Sequence, residues 1–103
     1  MEELEKKIFD IISSAGQARS LFMLNIQDSE SGKFDEIEKR YEEAKECLKD
    51  AEKAHFEIIT NEAKEKSSKL SLLLVHAEDQ MMAAELLQDL SMSIVRLNKK
   101  VRN

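Results

Sequence analysis

His76 and Asp79 stand three positions apart, a spacing that puts an imidazole and a carboxylate on one face of a helix. Leu72, Ala83, Leu86 and Leu90 recur at matching intervals, so that face reads as an apolar seam in which two polar groups need a reason to be present. An imidazole in partly apolar surroundings is biased toward its neutral form, because desolvation disfavours charge. A neutral ring nitrogen attacks phosphorus and is later displaced, so one chemistry open to His76 is phosphoryl carriage. The other is no chemistry at all, a core histidine bonded to a carbonyl or side chain. Asp79 in such a seam must be paired, protonated or bound to a cation. A salt bridge to a neighbouring helix would serve. So would a hard cation such as Mg²⁺, if third helices from several subunits ran side by side and brought their Asp79 carboxylates together.

A phosphate on His76 adds about 1.5 to 2 negative charges and needs donors nearby. Ser13, Ser14, Gln17 and Ser20 form a polar patch around Gly16 in the first segment, and Gln80 follows His76 by one helical turn. Gly16 costs about 1 kcal/mol in a helix interior relative to Ala, so it too needs a reason. Close helix packing is the commoner one; room for a phosphate or a partner is the other. His55, in the seam of the second segment, reads as structural. Cys47 lacks a second thiol and an activating histidine, so a reactive role is not expected. No phosphate loop, zinc pattern or catalytic triad is present.

Three segments position these groups. Leu4, Ile8, Ile11, Ala15, Ala18, Phe22 and Ile26 predict a first helix over Glu2 to Ser31, stopped at Gly32. Asp35, with Glu38 as its capping-box partner, predicts the start of a second helix that runs to Ala63 with Phe34, Ile37, Tyr41, Ala44, Leu48, Ala51, His55 and Ile58 in heptad order. The polar stretch Lys64 to Lys69 breaks the pattern, and Ser67 and Ser68 are candidate caps for a third helix from Leu70 to Val101. That helix also carries Leu73, Leu74, Val75, Met81, Met82 and Leu87 in other directions. Two partner helices cover only part of it, which predicts self-association.

The fold class is therefore all-α, an antiparallel three-helix bundle with long helices forming a single domain over residues 1–103. Charged residues at 36% and apolar residues at 42%, with no Pro and two Gly, suit that architecture. A formal net charge of -5 argues against nucleic acid and against an anionic membrane surface. The lone cysteine suits a reducing compartment, hence the cytoplasm. Glu2, Glu3 and Glu5 stand where a secretory signal would be basic, and no apolar run approaches the roughly 20 residues that span a bilayer, so no direct membrane insertion is expected.

At these same residues the chain resembles the lactose/cellobiose-type enzyme IIA of the bacterial phosphoenolpyruvate-dependent sugar phosphotransferase system. The stretch Ser71-Leu72-Leu73-Leu74-Val75-His76-Ala77-Glu78-Asp79-Gln80-Met81-Met82 is similar to the family's S-L-L-L-V-H-A-Q-D-H-L-M, and Ile12 to Ser20 to its I-S-x-A-G-N-A-R-S. Gly32-Lys33-Phe34 and Glu62-Ala63 also fall in register. The resemblance implies a homotrimer in which His76 accepts phosphate on Nε2 from the carrier HPr and passes it to a cysteine of a sugar-specific IIB component. It implies that Asp79 meets its symmetry mates at a metal site, and that no organic cofactor takes part. The sugar, whether cellobiose or another β-glucoside, chitobiose or lactose, stays open.

Three departures stand out: Glu78 replaces the family's Gln, Gln80 its second His, and Glu52 with His55 its A-H-x-x-Q-T pair. A carboxylate at 78 would repel a phosphate on His76 if its side chain turned that way. The rival to a carrier is a helical interaction or regulatory module whose histidines are purely structural.

Overall fold

A computed structural model describes residues 2–66 and 71–102 and shows three helices among them: α1 (Glu3–Glu30), α2 (Ile37–Glu65) and α3 (Leu72–Arg102). They form a rod of 56 × 20 × 19 Å. Its core is a single seam in which Ile8, Ile11, Ala15, Ala18 and Phe22 of α1 meet Ala44, Leu48, Ala51, Ala54 and Ile58 of α2 and Leu74, Ala77, Met81 and Ala84 of α3. The many alanines let long helices approach closely. Phe22 is the large plug, fully buried and tilted against Tyr41 with ring centroids 5.7 Å apart. Burying a side chain of that size contributes about 1.5–3 kcal/mol.

Cross-helix bonds give the directions. Arg19 reaches Gln80 and Asn98 reaches Ser29, so α3 runs alongside α1 in the same sense, whereas His55 of α2 meets Glu78, as expected for the antiparallel middle helix. α1 makes most of the interhelical contact, and α2 and α3 touch each other far less.

The α1–α2 connection turns on Gly32, whose φ of +77° is a left-handed helix stop. The Lys33 N–H donates to the Asp28 carbonyl at 2.8 Å and the Gly32 N–H to the Ser29 carbonyl at 3.2 Å, which satisfies two carbonyls the helix end leaves open. The expected capping box is not formed. Helix α2 begins at Ile37 behind Glu36, with no side-chain cap, because the Phe34 carbonyl takes the Ile37 N–H at 3.3 Å and leaves Asp35 in the turn.

The inward stripe of α1 also ends differently from its apolar periodicity. Asn25 and Ser29 are fully buried while Ile26 is half-buried. Buried polar groups are tolerable only when bonded, and these are: Asn25 donates to the Ile37 carbonyl at 3.1 Å and accepts from Arg40 at 3.1 Å. Arg40 is ion-paired to Asp28 at 2.8 Å. The Ser29 hydroxyl donates to the Ile26 carbonyl and accepts from Asn98, both at 2.8 Å. Arg102 donates to the Glu30 carbonyl at 2.8 Å, fastening the end of α3 to the end of α1.

At the far end α2 extends two residues beyond the expected Ala63 and stops at Lys66, which is left-handed at φ 53°. The candidate caps Ser67 and Ser68 lie outside the described residues. The cap seen for α3 is Ser71, whose hydroxyl accepts the Leu74 N–H at 3.1 Å.

Helix α3 buries Leu74, Ala77, Met81, Ala84, Ser91 and Val95. Its opposite side is left bare: Leu72, Val75, Met82, Leu86, Leu90, Leu97 and Val101 are all exposed, with Leu72 at 86% and Leu86 at 66% of full accessibility. This is the uncovered apolar face that the sequence leads one to expect. Isolated exposed leucines are ordinary, but a stripe at intervals of three, four and seven residues along one side of a helix is the pattern of a surface suited to packing against another helix.

Candidate functional site

His76 lies one turn into α3, just past the Ser71 cap. It is exposed, and it makes no hydrogen bond or ion pair to any other described residue. The apolar enclosure suggested by the seam is therefore not supplied by the chain's own described residues. On a helix of 3.6 residues per turn, His76 sits at the edge of the bare stripe nearest α1. Asp79 is exposed further round, within that stripe between Leu72, Leu86 and Met82. The two residues do share a face, as the spacing predicts, but it is the outer face of α3.

On the α1 side the 3.2 Å bond between Arg19 and Gln80 fixes the register: one turn back from each lie Gly16 or Ala15 and His76. Within the chain Gly16 does not serve close packing. A Cβ built on it would meet nothing within 4 Å, so the glycine leaves open space beside the level of His76. From Gly16 a groove runs along α1 between Arg19, Ser20, Met23, Leu24 and Gln27. Of the polar patch read from the sequence only Ser20 lines this groove with Gly16; Ser13 and Gln17 are exposed and Ser14 is half-buried, all three outside it.

Arg19 is the residue that reading the polar patch missed. Its signal was available, because it is the only basic residue between Lys7 and Lys33.

On the α2 side Glu78 is turned away from His76. Its carboxylate oxygen lies 2.7 Å from Nε2 of His55, which is mostly buried between α2 and α3. The departures from the family pattern at 78 and 55 are thus partners of each other, and the charge at Glu78 is engaged across the helix pair rather than beside the His76 ring. His55 has the structural role expected of it. Farther along, Glu52 faces Glu85. A hydrogen bond shared with that carboxyl, then partial burial and repulsion by Glu85, push Glu52 up to about 7 from 4.5, against the opposing pull of Lys49. Cys47 is half-buried, and burial followed by the charges of Asp50 and Glu43 raises its thiol pKa, which disfavours the nucleophilic thiolate.

Among the described residues no group of three His, Cys, Asp or Glu side chains within one chain could hold a metal ion. A cation at Asp79 would need carboxylates from other copies. The position fits that arrangement, since the carboxylate stands outward on a stripe whose neighbours are apolar and uncovered.

Residues 6–99 match the family model described as PTS system, Lactose/Cellobiose specific IIA subunit. The lichenan-specific phosphotransferase enzyme IIA component of Bacillus subtilis (strain 168) is 37% identical over 100 residues, which is 97% of this chain and 91% of that protein. The crystal structure of the cellobiose-specific enzyme IIA from Bacillus anthracis superposes with a TM-score of 0.92 at 32% identity, covering 99% of this chain and 94% of the other. The solution structure of the Escherichia coli IIA(Chitobiose)–HPr complex gives a TM-score of 0.84 at 29% identity, with both chains covered completely.

Proposed function

Because this chain belongs to the lactose/cellobiose-specific IIA family of the phosphotransferase system, we propose that it accepts a phosphoryl group from HPr on Nε2 of His76 and passes it to the cysteine of a sugar-specific IIB component. As a IIA subunit it is a phosphotransferase component, a carrier of phosphoryl groups. The observation that carries the assignment to His76 is its freedom: the ring is exposed at the edge of α3, unbonded to any described residue, whereas His55 is committed to Glu78.

In the first transfer the Nε2 lone pair of neutral His76 attacks phosphorus as the bond from phosphorus to the donor's ring nitrogen breaks. The donor nitrogen keeps that electron pair, and the proton on Nδ1 of His76 stays in place. In the second, the IIB thiolate attacks, the Nε2–P bond breaks and the imidazole regains its lone pair. HPr as donor is supported by a relative of the same fold that was solved in complex with HPr.

The same reading includes a homotrimer formed along the bare stripe of α3, which would give His76 the apolar neighbour that its own subunit lacks. Asp79 of each copy would then hold a hard cation such as Mg²⁺ at the axis, where the ion would offset the clustered negative charge. We place the carrier in the cytoplasm, consistent with the lone free thiol and with the finding that no described helix is long and apolar enough to cross a membrane. The sugar is not written into a protein that touches phosphate and other proteins, and relatives named for lichenan, cellobiose and chitobiose are all similar to it.

The test is to mix the protein with HPr, the enzyme that phosphorylates HPr, and phosphoenolpyruvate. A mass gain of one phosphate is expected, lost in His76→Ala and kept in His55→Ala. Label that persists in His76→Ala would overturn the assignment.

A further inference from the structure

Gln80 follows His76 by one turn, and helical side chains lean back toward the N-terminus, so the Gln80 amide covers the surface over the turn that carries His76. An amide in that place has two faces. Its NH₂ group would donate to a phosphoryl oxygen on His76, while its carbonyl oxygen would oppose one. Free to rotate, it would present both.

The structure removes that freedom. Nη1 of Arg19 lies 3.2 Å from Oε1 of Gln80. A guanidinium has donors and no acceptor, so the amide atom facing it must be the oxygen, and the NH₂ group is turned the other way. We propose that Arg19 is a positioning residue for phosphoryl transfer, holding the Gln80 amide so that its N–H groups, and not its carbonyl, meet the phosphoryl group on His76. The inference rests on His76 being the acceptor.

It also gives meaning to two features. Gln80 stands where the resembling sequences have a histidine, and a glutamine there calls for a partner to select which end of its amide faces His76. Arg19, the only cation between Lys7 and Lys33, comes from α1 at the register that reaches it.

The experiment is a double-mutant cycle read by rapid-quench transfer of labelled phosphoryl from phospho-HPr to the intact protein, with Arg19→Met, Gln80→Met, the pair together, and Arg19→Lys. Gln80→Met should lower the saturating rate by about ten- to a hundredfold, the scale of one hydrogen bond to a charged group. Arg19→Met should lower it less, with the half-saturating donor concentration nearly unchanged. In the Gln80→Met background Arg19→Met should have no further effect, and Arg19→Lys, which still donates, should recover most of the rate. Effects that multiply in the double variant make Arg19 a through-space charge and overturn the proposal. So does an Arg19→Met effect confined to the half-saturating concentration, which makes it a docking contact, or an Arg19→Met rate equal to wild type. A label that survives His76→Ala overturns the acceptor assignment and this role with it; a label lost in His76→Ala beside a multiplicative cycle overturns this role alone.

Discussion

Replacing Gly16 should make the protein more stable and a worse carrier. Glycine in a helix interior costs roughly 0.5–1 kcal/mol relative to alanine, because the unfolded chain has more freedom to lose. That penalty is recovered in full only if the new methyl meets no obstacle, and at Gly16 a Cβ finds no atom within 4 Å. The expected gain for Gly16→Ala is therefore about 0.5–1 kcal/mol, seen as a rise in Tm of about 2–8 °C for a chain of this size. Protein concentration must be held fixed, since any assembly adds a mass-action contribution to apparent stability. Transfer from phospho-HPr should fall in Gly16→Ala and fall further in Gly16→Gln, whose longer side chain fills the space beside the level of His76. Two results would refute the reasoning. A loss of stability in Gly16→Ala would mean that the glycine is packed against something, and undiminished transfer in Gly16→Gln would mean that its open space serves no partner.

Leu86→Lys should abolish self-association, because it sets three charges in the proposed seam, yet change the stability of a single subunit by no more than about 0.5 kcal/mol, since Leu86 is 66% exposed there; sedimentation and urea unfolding at several concentrations separate the two effects. Glu52→Gln should flatten the pH dependence of stability. Glu52 sits at about 7 in the folded protein against 4.5 as its ordinary value, so the folded state holds the extra proton and stability drops as pH rises through that window. Melting temperatures should therefore gain more from the substitution at pH 8 than at pH 5, by an amount reduced by solvent screening at this exposed side chain. Equal gains at both pH values would show that the carboxyls do not share a proton.

The helices themselves were legible because each buries one stripe, and a stripe at 3.6-residue spacing needs no knowledge of what covers it. Ile8, Ile11, Ala15, Ala18 and Phe22 are inside as their spacing requires, and Gly32 stops α1 because a left-handed turn there suits a residue without a side chain. The spacing failed at Asn25 and Ser29, which enter the interior in place of Ile26. Their burial depends on Arg40, Asn98 and the Ile37 carbonyl, partners far enough along the chain that no local pattern connects them. The capping box at Asp35 failed locally instead: the Phe34 carbonyl takes the Ile37 N–H that begins α2, and Asp35 stays in the turn.

The site divides along the same line. Sequence alone singled out which residues are able to carry chemistry, since only certain side chains can take a phosphoryl group or hold a cation, and their intervals placed His76 and Asp79 on one helical face. Tertiary structure decided which way that face looks and what stands beside it. It turned His76 outward, tied His55 and Glu78 to each other, opened the space at Gly16 and brought Arg19 to Gln80. These are facts of distance between separate helices, and distances between helices are set by packing against a common core, not by the order of residues along any one of them.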